Sequence, residues 1–183
     1  MDRIGADDRV DLDAYAARVG HVGALERSLE TLRSLHWLHP VAIPFENLTT
    51  LLGDSPRLDV PSLERKLVAS GRGGYCFEQN TLFAHALAAL GIPTTALAAR
   101  VLWDRPAGEV RPRSHMVLLA EVREGRYLCD VGFGGLTPTG PLALTPDLEQ
   151  ETPHETFRVL SADGELVVEA HVRGQWKRLY RFD

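Results

Sequence analysis

At Gly91 the sequence changes its periodicity, and that change decides what the chain can fold into. Before it, apolar residues recur at helical steps. Leu25, Leu29, Leu32 and Leu35 lie three or four apart, which predicts a helix with one buried stripe. Asp11 is placed to cap an earlier helix running to Val19. Pro40 and Pro44 are expected to interrupt the stripe. Pro61 sits at a first helical position ahead of a helix over about 62–69, stopped by Ser70-Gly71. A further helix is expected from about Cys76 to Leu90, with Pro93 beyond its Gly91 stop. After Pro93, short runs rich in Val, Leu and Tyr occupy 94–102, 113–122, 126–132, 155–161, 165–172 and 175–182. Asp163-Gly164 and Glu124-Gly125 are hairpin signals between such runs. The fold class that follows is α+β, an N-terminal helical bundle over 1–91 followed by an antiparallel β-barrel or sheet over 92–183.

A chain of 183 residues, 44% hydrophobic, is long and apolar enough to bury a substantial core. Its net charge of −5 leaves no basic excess to neutralise phosphates, so nucleic acid and membrane surfaces are not expected partners. No apolar run approaches the roughly 20 residues of a membrane-spanning helix. The acidic start MDRIGADDRVDLDAY has no apolar core of a secretory signal. Two cysteines, Cys76 and Cys129, make no disulfide framework. A cytoplasmic location, where a thiol stays free, is the expectation.

The segment Arg72-Gly-Gly-Tyr-Cys76-Phe-Glu-Gln-Asn80 carries the strongest chemical signal. Gly73 and Gly74 allow close backbone approaches and lead directly into a helix that begins at about Cys76. Backbone N–H groups at a helix start favour a thiolate and can hold an oxyanion. The competing reading of Cys76 is a buried structural thiol beside a glycine turn. A phosphate loop does not fit, because no Lys-Ser/Thr follows the glycines.

A nucleophilic cysteine needs a base, and the base needs an orienting group. His115 lies on the strand 113–122, between polar Ser114 and apolar Met116, where a lone histidine is more often a hydrogen-bonded core residue. Asp130 lies inside another apolar strand, 126–132, and must be paired there, because an unpaired buried charge is costly. With Glu124-Gly125 as central turn residues, Asp130 opposes Leu119. His115 then shares its face but lies four residues along, about 13 Å at 3.3 Å per residue. The shared face follows from the sequence, and contact needs a bulge or another register. His36 and His39 could meet on one helix face, but no carboxylate or third histidine accompanies them, so no metal is expected.

Ile43–Leu48 (IPFENL), Arg72–Asn80 (RGGYCFEQN), Arg113–Leu119 (RSHMVLL) and Tyr127–Gly135 (YLCDVGFGG) together resemble the signature blocks of arylamine N-acetyltransferases, in the same order and spacing. The resemblance implies a cysteine-protease-like core with Cys76 as acetyl-thioester nucleophile, His115 as base and Asp130 as its orienting partner. It implies acetyl-CoA as acyl donor and an arylamine or hydrazine as acceptor, by ping-pong transfer. Phe45 and Phe133 match aromatic positions of the acceptor pocket. Glu46 and Arg72 match a buried structural ion pair that Arg18 is placed to join. Arg113 and Ser114, beside His115, are candidates to touch the CoA diphosphate.

Family members continue into a C-terminal α/β domain that helps close the CoA cleft, and this chain ends as WKRLYRFD, where the link to it should begin. The expectation is a truncated form, impaired in transfer and prone to hydrolyse acetyl-CoA, with exposed apolar surface favouring self-association. The alternatives are an amidase or amide synthase using the same triad, and an inactive binding module.

Overall fold

The computed structural model describes residues 10–106, 109, 111–162 and 164–183. Helix α1 (Leu12–Val19) is capped by Asp11, whose side chain accepts from Ala14 N at 2.9 Å, and Gly20 closes it in the left-handed conformation. Helix α2 spans Leu29–Ala42 and is capped by Ser28, so Leu25 lies ahead of it. Pro40 sits inside α2 instead of ending it. A proline removes one helical hydrogen bond, and the helix survives this because Leu32, Leu35, His36 and His39 are buried along its length. A short α3 (Leu48–Leu51) and α4 (Val60–Leu63) follow. Glu64–Ala69 continues α4 as a wider π-helical turn, not the α-helix its periodicity predicts. Helix α5 spans Cys76–Ala89.

Eight strands then form one antiparallel sheet: β1 Thr94–Val101, β2 His115–Val122, β3 Gly125–Cys129, β4 Leu142–Ala143, β5 Gln150–Glu151, β6 Thr156–Ala162, β7 Glu165–Val172 and β8 Gln175–Phe182. Their spatial order is β4-β3-β2-β1-β8-β7-β6-β5. The two-residue strands β4 and β5 carry too little pattern to be read from sequence. The Gln150 side-chain amide exchanges two hydrogen bonds with the Ala143 backbone, at 2.7 and 3.0 Å, and so ties the two ends of the sheet into a near-barrel. Ala162 pairs with Glu165 across the expected second hairpin, of whose two turn residues Asp163 lies outside the described residues.

Strand β2 is buried on both faces. Leu118, Ala120 and Val122 pack with Leu82, Phe83 and Leu87 of α5 in the helical core. Val117 and Leu119 turn the other way, into the barrel core with Leu128, Val168 and Tyr180. This alternation places the start of α5 against the start of β2. No helix among the described residues is long and apolar enough to cross a membrane.

Candidate active site

The entry to α5 is built by backbone contact. Gly74 N donates to Pro44 O at 3.2 Å and Glu46 N donates to Gly74 O at 3.0 Å, a parallel bridge joining Phe45 to Gly74. A side chain at Gly73 would put its Cβ 2.1 Å from Pro44 O, so only glycine fits. Glu78 reaches back to accept from Tyr75 N at 3.1 Å, and Lys66 holds that carboxylate at 2.8 Å. Cys76 is thereby the first residue of α5, partly exposed, with its Sγ 3.8 Å from Ser114 O.

His115 Nε2 and Asp130 Oδ2 are 2.7 Å apart and both side chains are buried. The pairing arises because the β2–β3 turn lies at Arg123-Glu124, with Val122 opposite Gly125 and Leu118 opposite Cys129. That register moves Asp130 two residues nearer to His115 than a turn centred on Glu124-Gly125, and keeps the shared face. Asp130 Oδ1 accepts from Asn80 Nδ2 and Gly132 N, each at 3.0 Å. Its backbone N–H donates to His36 Nε2 at 3.1 Å. Asn80 also donates to Met116 O and accepts from Val131 N, so one buried amide of α5 pins β2 and the segment that follows β3.

Burial alone would lower the His115 pKa, but the Asp130 charge and hydrogen bond, then the neighbouring Cys76 thiol, raise it from 6.5 to about 10. Burial works to raise the Asp130 pKa and is outweighed by the His115 charge and by hydrogen bonds from His115, Asn80 and Gly132, which hold it below 3.8. The pair is therefore imidazolium and carboxylate at neutral pH. A raised histidine stabilises the fold fully below its unfolded value of 6.5 and loses that contribution as pH climbs to about 10. A depressed carboxylate contributes above 3.8 and loses it as pH falls through its lower folded value. Thermal unfolding of the native chain and of Asp130→Asn across this range should show the widest gap between 3.8 and 6.5, narrowing towards about 10. A gap that stays constant with pH contradicts the pairing.

A pocket of about 380 Å³ opens over these groups, lined by Phe45, Cys76, Ser114, His115, Phe133 and Leu136 among others. Phe133 meets the His115 ring edge-on at 5.3 Å, and Tyr180 lies 5.1 Å from it. The buried Tyr180 hydroxyl feels the Asp130 charge but has no hydrogen bond of normal geometry among the described residues. Trp103 lines this pocket and also a wider groove of about 1100 Å³ that carries Arg105, Lys177, Arg178 and Arg181.

Of the residues singled out from sequence, Cys76, His115, Phe45, Phe133 and Ser114 line this pocket, and the buried Asp130 joins it through His115. Arg113 does not line it and instead pairs with Asp183 at 2.5 Å. Part of the Arg105–Arg113 stretch (107, 108 and 110) lies outside the described residues. The Glu46–Arg72 pair forms, at 2.5 Å, but Arg72 is 48% exposed, so the pair is not buried as expected. Arg18 does not join it. Its guanidinium donates to the carbonyls of Leu67, Ala42 and Gly71. Both His36 and His39 are fully buried and hydrogen-bonded to protein groups. Sequence reasoning missed Asn80, though a polar residue one turn beyond Cys76 in an apolar helix must find buried partners.

Residues 28–183 match the family model described as N-acetyltransferase. The chain is 44% identical over 172 residues to the arylamine N-acetyltransferase of Escherichia coli (strain K12), a match covering 94% of this chain and 61% of that protein. It superposes on the arylamine N-acetyltransferase structure of M. tuberculosis with a TM-score of 0.90 at 43% identity, covering 94% of this chain and 65% of the other. It matches the Mycobacterium marinum enzyme solved in complex with CoA with a TM-score of 0.90, 42% identity and the same coverages. The chain thus spans about three fifths of the length of the curated relatives it matches. Motif order, fold and matched span agree: the chain belongs to the arylamine N-acetyltransferase family.

Proposed function

We propose that the chain carries acetyl from acetyl-CoA to an arylamine through a thioester on Cys76. The observation that supports this best is the buried His115–Asp130 ion pair beside a partly exposed thiol at a helix start, under an apolar pocket. The His115 ring beside Sγ takes the thiol proton, leaving the thiolate that is the nucleophile of thioester chemistry. The thiolate attacks the acetyl carbonyl, and backbone N–H groups at the start of α5 are placed to receive the oxyanion. Collapse breaks the bond to the CoA sulfur, which leaves with the proton His115 carried. In the second half the acceptor nitrogen attacks the Cys76 thioester, its proton passes to His115, and the Cys76 thiolate departs. Asp130 keeps the ring oriented throughout and balances its charge whenever it holds the proton.

Phe45 and Phe133 supply flat apolar walls suited to an aromatic amine, and they limit water at the thioester. Phe45 is 48% exposed, so the exclusion is incomplete and slow hydrolysis of the acetyl-enzyme accompanies transfer. In the groove beyond Trp103, Arg178 and Arg181 pair with Glu169 and Glu165, and Arg105 and Lys177 are the cations suited to the anionic part of the donor. The helical half over 1–91 and the barrel half over 92–183 work as one unit, since the three residues are divided between them. A free thiol nucleophile belongs in a reducing compartment such as the cytoplasm.

Incubation with acetyl-CoA, followed by intact-mass and peptide mass spectrometry, should give one added acetyl group on Cys76, discharged by an arylamine. Absence of the adduct at Cys76 under conditions where iodoacetamide alkylates it rejects the reading.

A further inference from the structure

One buried polar chain next to the nucleophile is not used in these steps. Gln79, 1% exposed on α5, donates from Nε2 to three carbonyls: Ile43 at 3.1 Å, Pro44 at 3.0 Å and Gly74 at 3.2 Å. Its Oε1 lies 2.7 Å from His39 Nε2, and His39 Nδ1 lies 2.8 Å from the Tyr15 hydroxyl. All three side chains are buried.

The direction of every bond in this chain follows from one fact. Carbonyl oxygens only accept, so the amide nitrogen of Gln79 must face them and its oxygen must face His39. His39 Nε2 therefore carries the hydrogen. Burial lowers the His39 pKa to about 4, so the ring is neutral and Nδ1 is a lone pair. The Tyr15 hydroxyl must then donate to it. Phe83 meets the His39 ring edge-on at 5.5 Å and fixes its plane. A single arrangement satisfies all the groups, and it begins in α1 and ends on the loop carrying Phe45.

The three carbonyls come from both sides of the Phe45–Gly74 bridge. Ile43 and Pro44 precede Phe45, the half-exposed wall of the pocket, and Gly74 precedes Cys76 by two residues. That bridge contains only two backbone hydrogen bonds, from Gly74 N and from Glu46 N. Gln79 joins the same two segments from beneath.

We propose that Gln79, oriented by His39 and Tyr15, is a positioning residue that fixes the spacing between Phe45 and Cys76 and so sets acceptor binding. The acceptor part rests on the acetyl-transfer reading above. The spacing part does not, and it can be measured with no substrate present.

The test uses the full 183-residue chain with Gln79→Met, which keeps volume and removes the donors, and Tyr15→Phe, which removes only the far end of the chain. Amide hydrogen exchange by NMR should speed up at Glu46 and Gly74 by about tenfold or more in Gln79→Met, and by less in Tyr15→Phe, while Leu118 and Val168 in the two cores stay as slow as in the native chain. Acetylation of Cys76 by p-nitrophenyl acetate should change by less than about threefold, while KM for 4-methoxyaniline rises by about tenfold. Unchanged exchange at Glu46 and Gly74 overturns the proposal, as does a loss of acetylation as large as the rise in KM. If Gln79→Met does not fold, Tyr15→Phe decides, since equal acceleration at all four amides marks a purely structural role. If the native chain takes no acetyl on Cys76, the transfer reading fails alone, and the exchange pattern with Cys76 alkylation by iodoacetamide still settles the spacing.

Discussion

Asp130→Asn should slow acetylation of Cys76 by about a thousandfold or more, the scale seen when the carboxylate behind a catalytic histidine is replaced. The substitution preserves shape and buried volume. It removes the anion that outweighs burial in holding the His115 proton, so the buried ring becomes neutral at working pH. It also presents the network with an amide where two donors, Asn80 Nδ2 and Gly132 N, already point at Oδ1. If the asparagine oxygen stays with those donors, its NH₂ faces His115 Nε2 and selects the wrong tautomer, with the hydrogen on the side of Cys76. The measurement is the single-turnover rate of adduct formation across pH. A loss below about tenfold, with the native pH profile, means that Asp130 only holds structure and that the triad reading is wrong.

Gly73→Ala should destabilise the fold by about 3 kcal/mol, at the upper end of overpacking costs. The new Cβ would meet Pro44 O at 2.1 Å, a backbone atom that cannot swing aside as a side chain could. Relief requires parting the segment that carries Phe45 from the turn that delivers Cys76. Gly135→Ala is the control. It lines the same pocket, yet a Cβ there meets nothing within 4 Å, so its stability should change by less than about 0.5 kcal/mol. Denaturant midpoints at constant m-value compare the two. Equal midpoints would show that the close approach at Gly73 is dispensable.

Helix α5 was legible because its glycine entry, its apolar length and its Gly91 stop agree with one another. Helix α2 was legible in its stripe and not in its extent. Pro40 marks a local penalty, and whether a helix absorbs one depends on burial contributed by residues distant in sequence. The β2–β3 hairpin was read with the right face and the wrong turn. Side-chain alternation reports parity, and two registers differing by two residues share it. That is why the His115–Asp130 contact could be oriented but not measured from sequence. His36 illustrates a different limit. A histidine accepting from the Asp130 backbone, 94 positions away, leaves no periodic trace, and only the fold brings the two together.

The strand order carries a consequence for how the molecule is made. Strand β8 lies in the middle of the sheet, between β1 and β7, although its residues are the last of these eight strands to leave the ribosome. Until they arrive, β1 lacks its second neighbour, and His115 lacks the Tyr180 ring that packs against it. The helix bearing Cys76 is synthesised roughly a hundred residues earlier, and a chain elongating at about 5–20 residues per second carries that thiol for several seconds before its surroundings can close. The packing around His115, beside Cys76, is thus completed only when β8 joins the sheet.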